Sequence, residues 1–373
     1  MIYADHAATT RLSPKALEAM RPWLEEEYAN PSTLYSFSRN ARRAVSEARE
    51  KIASAIGANA DEIYFTSGGT EADNWALKSI AFRQPNQRGR IITSAVEHHA
   101  ILNTCAFLER IGFEVTYLPV DRHGIVSCKD LADALIKGTV LVSVMTANNE
   151  LGTIEPIAEL AEAARQHNVL FHTDAVQAVG HIPVNVEKLG VDLLSASAHK
   201  FNGPKGIGFL YIRKGTAIEA FIHGGGQEKG MRSGTENIAG IVGMAAALEE
   251  HLETMIEDAV QCERLRAKLI DLLQKAGLDF VINSGESHIP GSLSISFRGA
   301  EGEMLLHRLD LMGIAIAVGS ACNAKETKLS HVIQAIQIPE EYRNGTVRIT
   351  LGADNDDRQI EEIASGLNRI LAR

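Results

Sequence analysis

From residue 63 to residue 212 the chain repeats one pattern, a short apolar and β-branched run followed by a longer stretch with helical spacing. The runs cover 63–66, 91–95, 115–118, 140–145, 169–173, 191–196 and 207–212. Several are continuously apolar, which suits strands covered on both faces of a parallel sheet. Strands alternating with helices predict a large three-layer α/β/α unit with a mostly parallel sheet. In such units the chemistry gathers just beyond the strand ends.

The flanking sequence predicts a second unit. Ser13-Pro14 reads as an N-cap and first helical residue, and apolar spacing continues a second helix over 39–56 to a Gly57 cap. One long helical stretch over 239–273 leads out of the large unit. Beyond it, strands at 280–282, 292–297, 314–318 and 347–351 with helices at 301–312, 330–336 and 357–371 predict a smaller α+β unit. At 373 residues two units are expected, and we divide them as 13–258 for the large one and 1–12 with 259–373 for the small one.

Composition excludes several function classes. The net charge of −10 is spread over mixed-sign helices without a basic stripe, so nucleic acid is not an expected partner. No signal-like N-terminus or membrane-length apolar window appears, so a soluble cytoplasmic protein is expected. Cys105, Cys128, Cys262 and Cys322 are spaced too widely for a zinc ribbon or a redox pair. No H-E-x-x-H or similar cluster appears among the histidines, so no metal is expected.

Four strand ends carry polar groups of a kind suited to one ring and one phosphate. Lys200 lies in Ser197-Ala198-His199-Lys200, after an apolar run and before the punctuation Gly203-Pro204-Lys205-Gly206. A partly desolvated amine there loses its proton and forms a Schiff base with an aldehyde cofactor. Asp174 follows the 169–173 run; such an Asp caps the next helix or holds a ring nitrogen protonated, the partnership that makes pyridoxal phosphate (PLP) an electron sink. Gly68, Gly69 and Thr70 sit where a strand gives way to a helix, a turn that offers backbone N–H groups to a phosphate or serves the chain alone. His98 stands where a histidine can stack on a flat ring and move protons, and the amides of Asn148 and Asn149 can reach a phenolic oxygen.

With these motifs the chain resembles the cysteine desulfurases of the NifS and IscS type, fold-type I PLP enzymes, almost end to end. Further marks are Asp5-His6-Ala7-Ala8-Thr9-Thr10, Asn30-Pro31-Ser32, Arg232-Ser233-Gly234-Thr235, Gly319-Ser320-Ala321-Cys322 and Arg348. The resemblance implies that Lys200 carries the cofactor, Asp174 pairs with the pyridine nitrogen and His98 stacks on the ring. It gives Asn149 and Gln177 the phenolic side, and the phosphate to Gly69, Thr70, Ser197 and His199, with Thr235 reaching in from the second subunit of a homodimer. Arg348, with Asn30, would hold the substrate carboxylate, a task that suits a planar guanidinium fork.

By the same resemblance Cys322 is the nucleophile that takes sulfur from L-cysteine as a persulfide, leaving L-alanine, for delivery to a sulfur-acceptor protein such as an iron–sulfur scaffold or to tRNA thiolation. The sequence around it, Gly-Ser-Ala before and a polar run with Lys325 and Lys328 after, predicts an exposed, mobile loop in which a thiolate is favoured. The other cysteines read as small apolar residues. Tyr35, Ser38 and Asn323 depart from residues common in the family and bear on loop behaviour and acceptor choice. A selenocysteine lyase, another fold-type I PLP enzyme, and a catalytically silent scaffold of a sulfur-transfer complex are the alternatives; the Lys200, Asp174 and Cys322 set argues against the silent scaffold, and Cys322 against an aminotransferase.

Overall fold

The computed structural model describes residues 1–84, 89–319 and 329–372. Its strands are β1 (Ile2–Tyr3), β2 (Ile63–Thr66), β3 (Arg90–Ser94), β4 (Glu114–Leu118), β5 (Thr139–Ser143), β6 (Leu170–Asp174), β7 (Leu193–Ser197), β8 (Gly208–Ile212), β9 (Phe280–Ile282), β10 (Ser292–Phe297), β11 (Ile314–Ala315) and β12 (Thr346–Thr350). A seven-stranded sheet runs β2-β8-β7-β6-β5-β3-β4. Its neighbours from β7 through to β4 pair in parallel, and only β8 runs against them, antiparallel to both β7 and β2. The ends of β2, β3, β5, β6 and β7 therefore open on one edge of the sheet.

Side-chain alternation along the strands makes the layers. Ile92, Val142 and Leu194 enter one apolar cluster with Val45, Ile52 and Leu160 from helices on that face. Their neighbours Ile91, Leu141 and Leu193 enter another, against Trp75, Leu77 and Ile80 of the helix Gly69–Phe82 and Ile101 and Leu108 of the helix His99–Arg110. Covered on both faces, the central strands have no polar period, which is why they read as continuous apolar runs.

A second core is built on the antiparallel sheet β12-β10-β9 and the parallel pair β1-β11. Leu293, Ile295, Val347 and Ile349 pack there against Ile360, Ile363 and Leu367 of the C-terminal helix Asp357–Leu371. The helix Ile238–Lys275 serves both cores: Ile241, Met244 and Leu248 enter the first, while Leu265, Leu269 and Leu273 enter the second. No side chain of its residues 249–261 is buried. Ile2 and Ala4 also belong to the second core, so the chain's first residues meet its last third.

The strand expected over 314–318 shortens to β11, because the chain there changes partner. Ile314 and Ala315 pair with β1, after which Ala317 exchanges backbone hydrogen bonds with Arg348 of β12 at 3.0 and 2.7 Å. Other expected ends move by one or two residues, as helix and strand ends do. Among the described residues no helix is long and apolar enough to cross a membrane.

Candidate active site

The strand ends enclose a cavity of about 520 Å³. Where β2 ends, the chain must turn sharply into a helix beside β8. A Cβ on Gly208 would stand 2.8 Å from the Gly68 Cα, and Gly68 itself has φ 150°, so both positions need glycine. The helix that starts at Gly69 has first-turn amides without intrahelical acceptors, and Gly69 and Thr70 line the cavity. Glu71 closes the turn, accepting the Ser67 amide at 2.9 Å and the Arg232 Nε at 2.8 Å. Burial raises its carboxyl, but the hydrogen bonds from Arg232 and Ser67 outweigh that and hold it below its ordinary value.

Asp174, the last residue of β6, is buried and lines the cavity while its Oδ1 accepts the Val176 amide at 2.9 Å. Burial pushes its carboxyl up to about 6, against the pull of that amide and of Lys200. Ser197 at the end of β7 and His199 and Lys200 from the short turn after it all face the cavity. The Lys200 Nζ donates to the carbonyls of Ala7 and Ala8 at 2.6 and 2.9 Å, and the Gln177 amide reaches the Ala7 carbonyl at 3.0 Å. The His199 Nδ1 meets the Thr9 hydroxyl at 3.1 Å; burial, then Lys200 and Lys205, lower its ring to about 4.

His98 caps the helix His99–Arg110 by accepting the Ala100 amide on Nδ1 at 3.1 Å. Burial lowers its pKa to about 4, helped by Lys200, His99 and His331, so the ring is neutral near pH 7 with its proton on Nε2. A neutral, pinned imidazole is suited to lying on a flat ring. Arg348 comes from β12 of the second core and is nearly inaccessible to solvent. Its Nη2 donates to Asp5 Oδ1 at 2.6 Å and its Nη1 to the Asn149 carbonyl at 2.7 Å, while the buried Nε has no partner.

Ten of the expected residues, Gly69, Thr70, His98, Asn149, Asp174, Gln177, Ser197, His199, Lys200 and Arg348, thus meet at one cavity. Asn30 does not line it; its Oδ1 accepts the Ser32 amide at 2.9 Å and closes a local turn. Thr235 is exposed and likewise not part of the lining. Cys322 lies outside the described residues, with Ser320, Ala321, Asn323, Lys325 and Lys328. The chain on either side is placed: a Cβ on Gly319 would lie 3.3 Å from the Ser330 Cβ and 3.5 Å from the Glu150 Oε2, and Ser330 donates to that oxygen at 2.6 Å. Both ends of the stretch therefore meet at Glu150, close to the strand end that carries Asn149.

Sequence reasoning missed two contributors. Ala7, Ala8 and Thr9 form one wall, and only their place in the Asp5 to Thr10 motif hinted at it. Asp73 lines the cavity from the helix Gly69–Phe82, its Oδ1 3.7 Å from the His172 Nε2 and without a hydrogen-bond partner. His172 is itself held between the Ser143 and Ser195 hydroxyls at 2.9 Å each. Burial, then the nearby Asp174, raise Asp73 well above its ordinary value, and burial alone lowers His172 to about 3, so burial disfavours the charged form of both groups behind the strand ends. Its only signal is a carboxylate and a histidine in otherwise apolar elements.

The donor set fits PLP. A buried carboxylate stands ready for a protonated ring nitrogen, an amine for the aldehyde, a neutral imidazole for the ring face, and a helix start with hydroxyls and His199 for the phosphate. The comparisons point the same way. The aminotransferase class-V family matches residues 2–363. Cysteine desulfurase IscS of Dictyoglomus turgidum is 51% identical over 373 residues, covering 100% of this chain and 95% of that protein. Among solved structures, a NifS-like protein superposes with a TM-score of 0.94 at 40% identity, covering 100% of this chain and 99% of the other. A structure described as SspA in complex with cysteine has a TM-score of 0.83 at 37% identity, with 94% and 99% covered.

Proposed function

The chain belongs to the aminotransferase class-V family, and we propose that it acts as a PLP-dependent cysteine desulfurase, turning L-cysteine into L-alanine and an enzyme-bound sulfur. One observation carries this reading. Lys200, Asp174 and Arg348 converge on a single cavity, so an amine, a ring-nitrogen partner and a carboxylate fork serve one amino acid. Bound PLP supplies an aldehyde for the substrate amine and a ring that makes the α-proton acidic.

The chain's own residues do the rest. Arg348, which lines the cavity and whose Nε has no partner, offers its fork to the substrate carboxylate, so the α-carbon is fixed relative to the ring. Lys200 takes the proton from Cα and returns protons to the carbon skeleton. Asp174 would keep the ring nitrogen protonated, while His98, neutral at working pH, would cover the ring face and has an Nε2 proton to give. Asn149 and Gln177 would face the phenolic oxygen, and Gly69, Thr70, Ser197 and His199 would hold the phosphate.

Sulfur leaves through Cys322. Its thiolate attacks the substrate sulfur, an S–S bond forms, and the Cβ–S bond breaks with its electron pair staying on the carbon skeleton, which takes up a proton and departs as alanine. The reading includes a homodimer in which the exposed Thr235 completes the partner's phosphate site. It also includes Asn30 as a second carboxylate contact and a cytoplasmic acceptor protein, such as an iron–sulfur scaffold, for the persulfide; their support is the likeness to proteins named IscS. We place the unit boundary near residue 258, within the unburied span of the long helix. Incubating the holoprotein with L-cysteine is expected to give alanine, one extra sulfur atom on the peptide holding Cys322, and no turnover in Cys322→Ser. Normal sulfide release by that variant would remove Cys322 from the mechanism.

A further inference from the structure

Arg348 meets a fixed anion before any substrate arrives. Asp5 lies 343 residues away in sequence, yet its Oδ1 sits 2.6 Å from the Arg348 Nη2, and the two side chains are only 16% and 3% exposed. Asp5 is held in place from both sides. Its carbonyl accepts the Tyr3 hydroxyl at 3.0 Å, its backbone bridges Thr350, and the next turn is tied down by the Ala7 amide on the Thr350 hydroxyl at 2.9 Å. Glu150 is the other carboxyl that feels Arg348. Burial raises it above its ordinary value despite Ser330 and Arg348.

We propose that Asp5 is a positioning residue that sets the strength of the carboxylate clamp: it anchors the guanidinium by Nη2, leaves the Nε without a partner, and offsets its charge so that the amino-acid product is released. The inference rests on the reading of Arg348 as that clamp. A guanidinium this buried, with no anion beside it, would grip any α-carboxylate strongly and treat substrate and product alike. With Asp5 in place, the incoming carboxylate meets a nearly neutral pair, and recognition depends more on the geometry of the fork than on net charge. The same anchor fixes which face of the fork is available, because Nη1 is already spent on the Asn149 carbonyl.

The test is an equilibrium titration of the holoenzyme with L-alanine, followed by the cofactor's absorbance. Asp5→Asn keeps the shape and removes the charge, so it is expected to bind alanine at least about tenfold more tightly, the lower bound set by one unit charge a few ångströms away at water-like screening. Its KM for cysteine should fall and its kcat should fall with it. A residue that merely supports the fold would instead raise KM. Asp5→Ser, which also removes the charge, is expected to shift alanine affinity in the same direction. If neither variant, folded by its melting temperature, binds alanine more tightly than the parent, the inference is wrong. Arg348→Lys separates the two levels: unchanged alanine affinity there would overturn the clamp itself, whereas a loss there with no gain in the Asp5 variants would overturn only the role of Asp5.

Discussion

Lys200, Asp174 and His98 reach the cavity from the ends of three strands of one sheet, whereas Arg348 reaches it from the second core, anchored by Asp5 of the chain's first residues. The first group is placed by local rules: an apolar strand is buried, its end emerges at one edge, and the next residue is polar. The second group exists only after β1 has paired with β11 and β12 has brought Arg348 under the N-terminal segment. On the proposed function, the difference separates holding a cofactor, which one sheet can do, from gripping a substrate, which needs both cores packed together.

Substitutions should divide along that line. Lys200→Ala has the largest expected effect, a loss of turnover of about 10³-fold or more together with the near-visible absorbance of the lysine-linked cofactor. An absorbance retained with alanine still produced would remove Lys200 from the cradle. Asp174→Asn comes next, with a loss of roughly 10²-fold or more, because a preorganised charge opposite the ring nitrogen is replaced by a neutral amide. Cofactor dialysed from this variant faster than from the parent would show the same loss without any assay of turnover.

Legibility followed the same division. The strand ends at Thr70, His98, Asn149, Asp174 and Lys200 could be read because each stands directly after an apolar run. Asp73 and His172 could not, since a buried polar pair whose charged forms burial disfavours looks like any polar residue inside an element. Asp5 was visible only as part of a motif, because nothing local links it to a residue 343 positions away. Asn30 and Thr235 were expected from the family pattern, and a single chain does not bring either to the cavity lining.

The smallest expected effect concerns stability behind the cradle. Glu97 is fully buried and burial raises its carboxyl to about 8, even though the Ser94 hydroxyl and the Met145 amide bond its Oε1 at 2.6 and 3.0 Å. Its folded pKa lies above the ordinary 4.5, so its contribution is fully present below pH 4.5 and is lost as pH rises toward 8. Glu97→Gln, neutral at every pH, is expected to flatten the fall in melting temperature over that window. An identical slope in parent and variant would mean that Glu97 ionises freely in the folded protein.

The cradle and the clamp are most directly tested by measuring bound cofactor and the KM for L-cysteine on one preparation of Arg348→Lys. A lysine keeps the charge but loses the fork, so cofactor content should match the parent while KM rises by about tenfold or more, with kcat changed far less. Cofactor lost with KM unchanged would contradict the division of the site into a sheet-borne cradle and a clamp supplied by the second core.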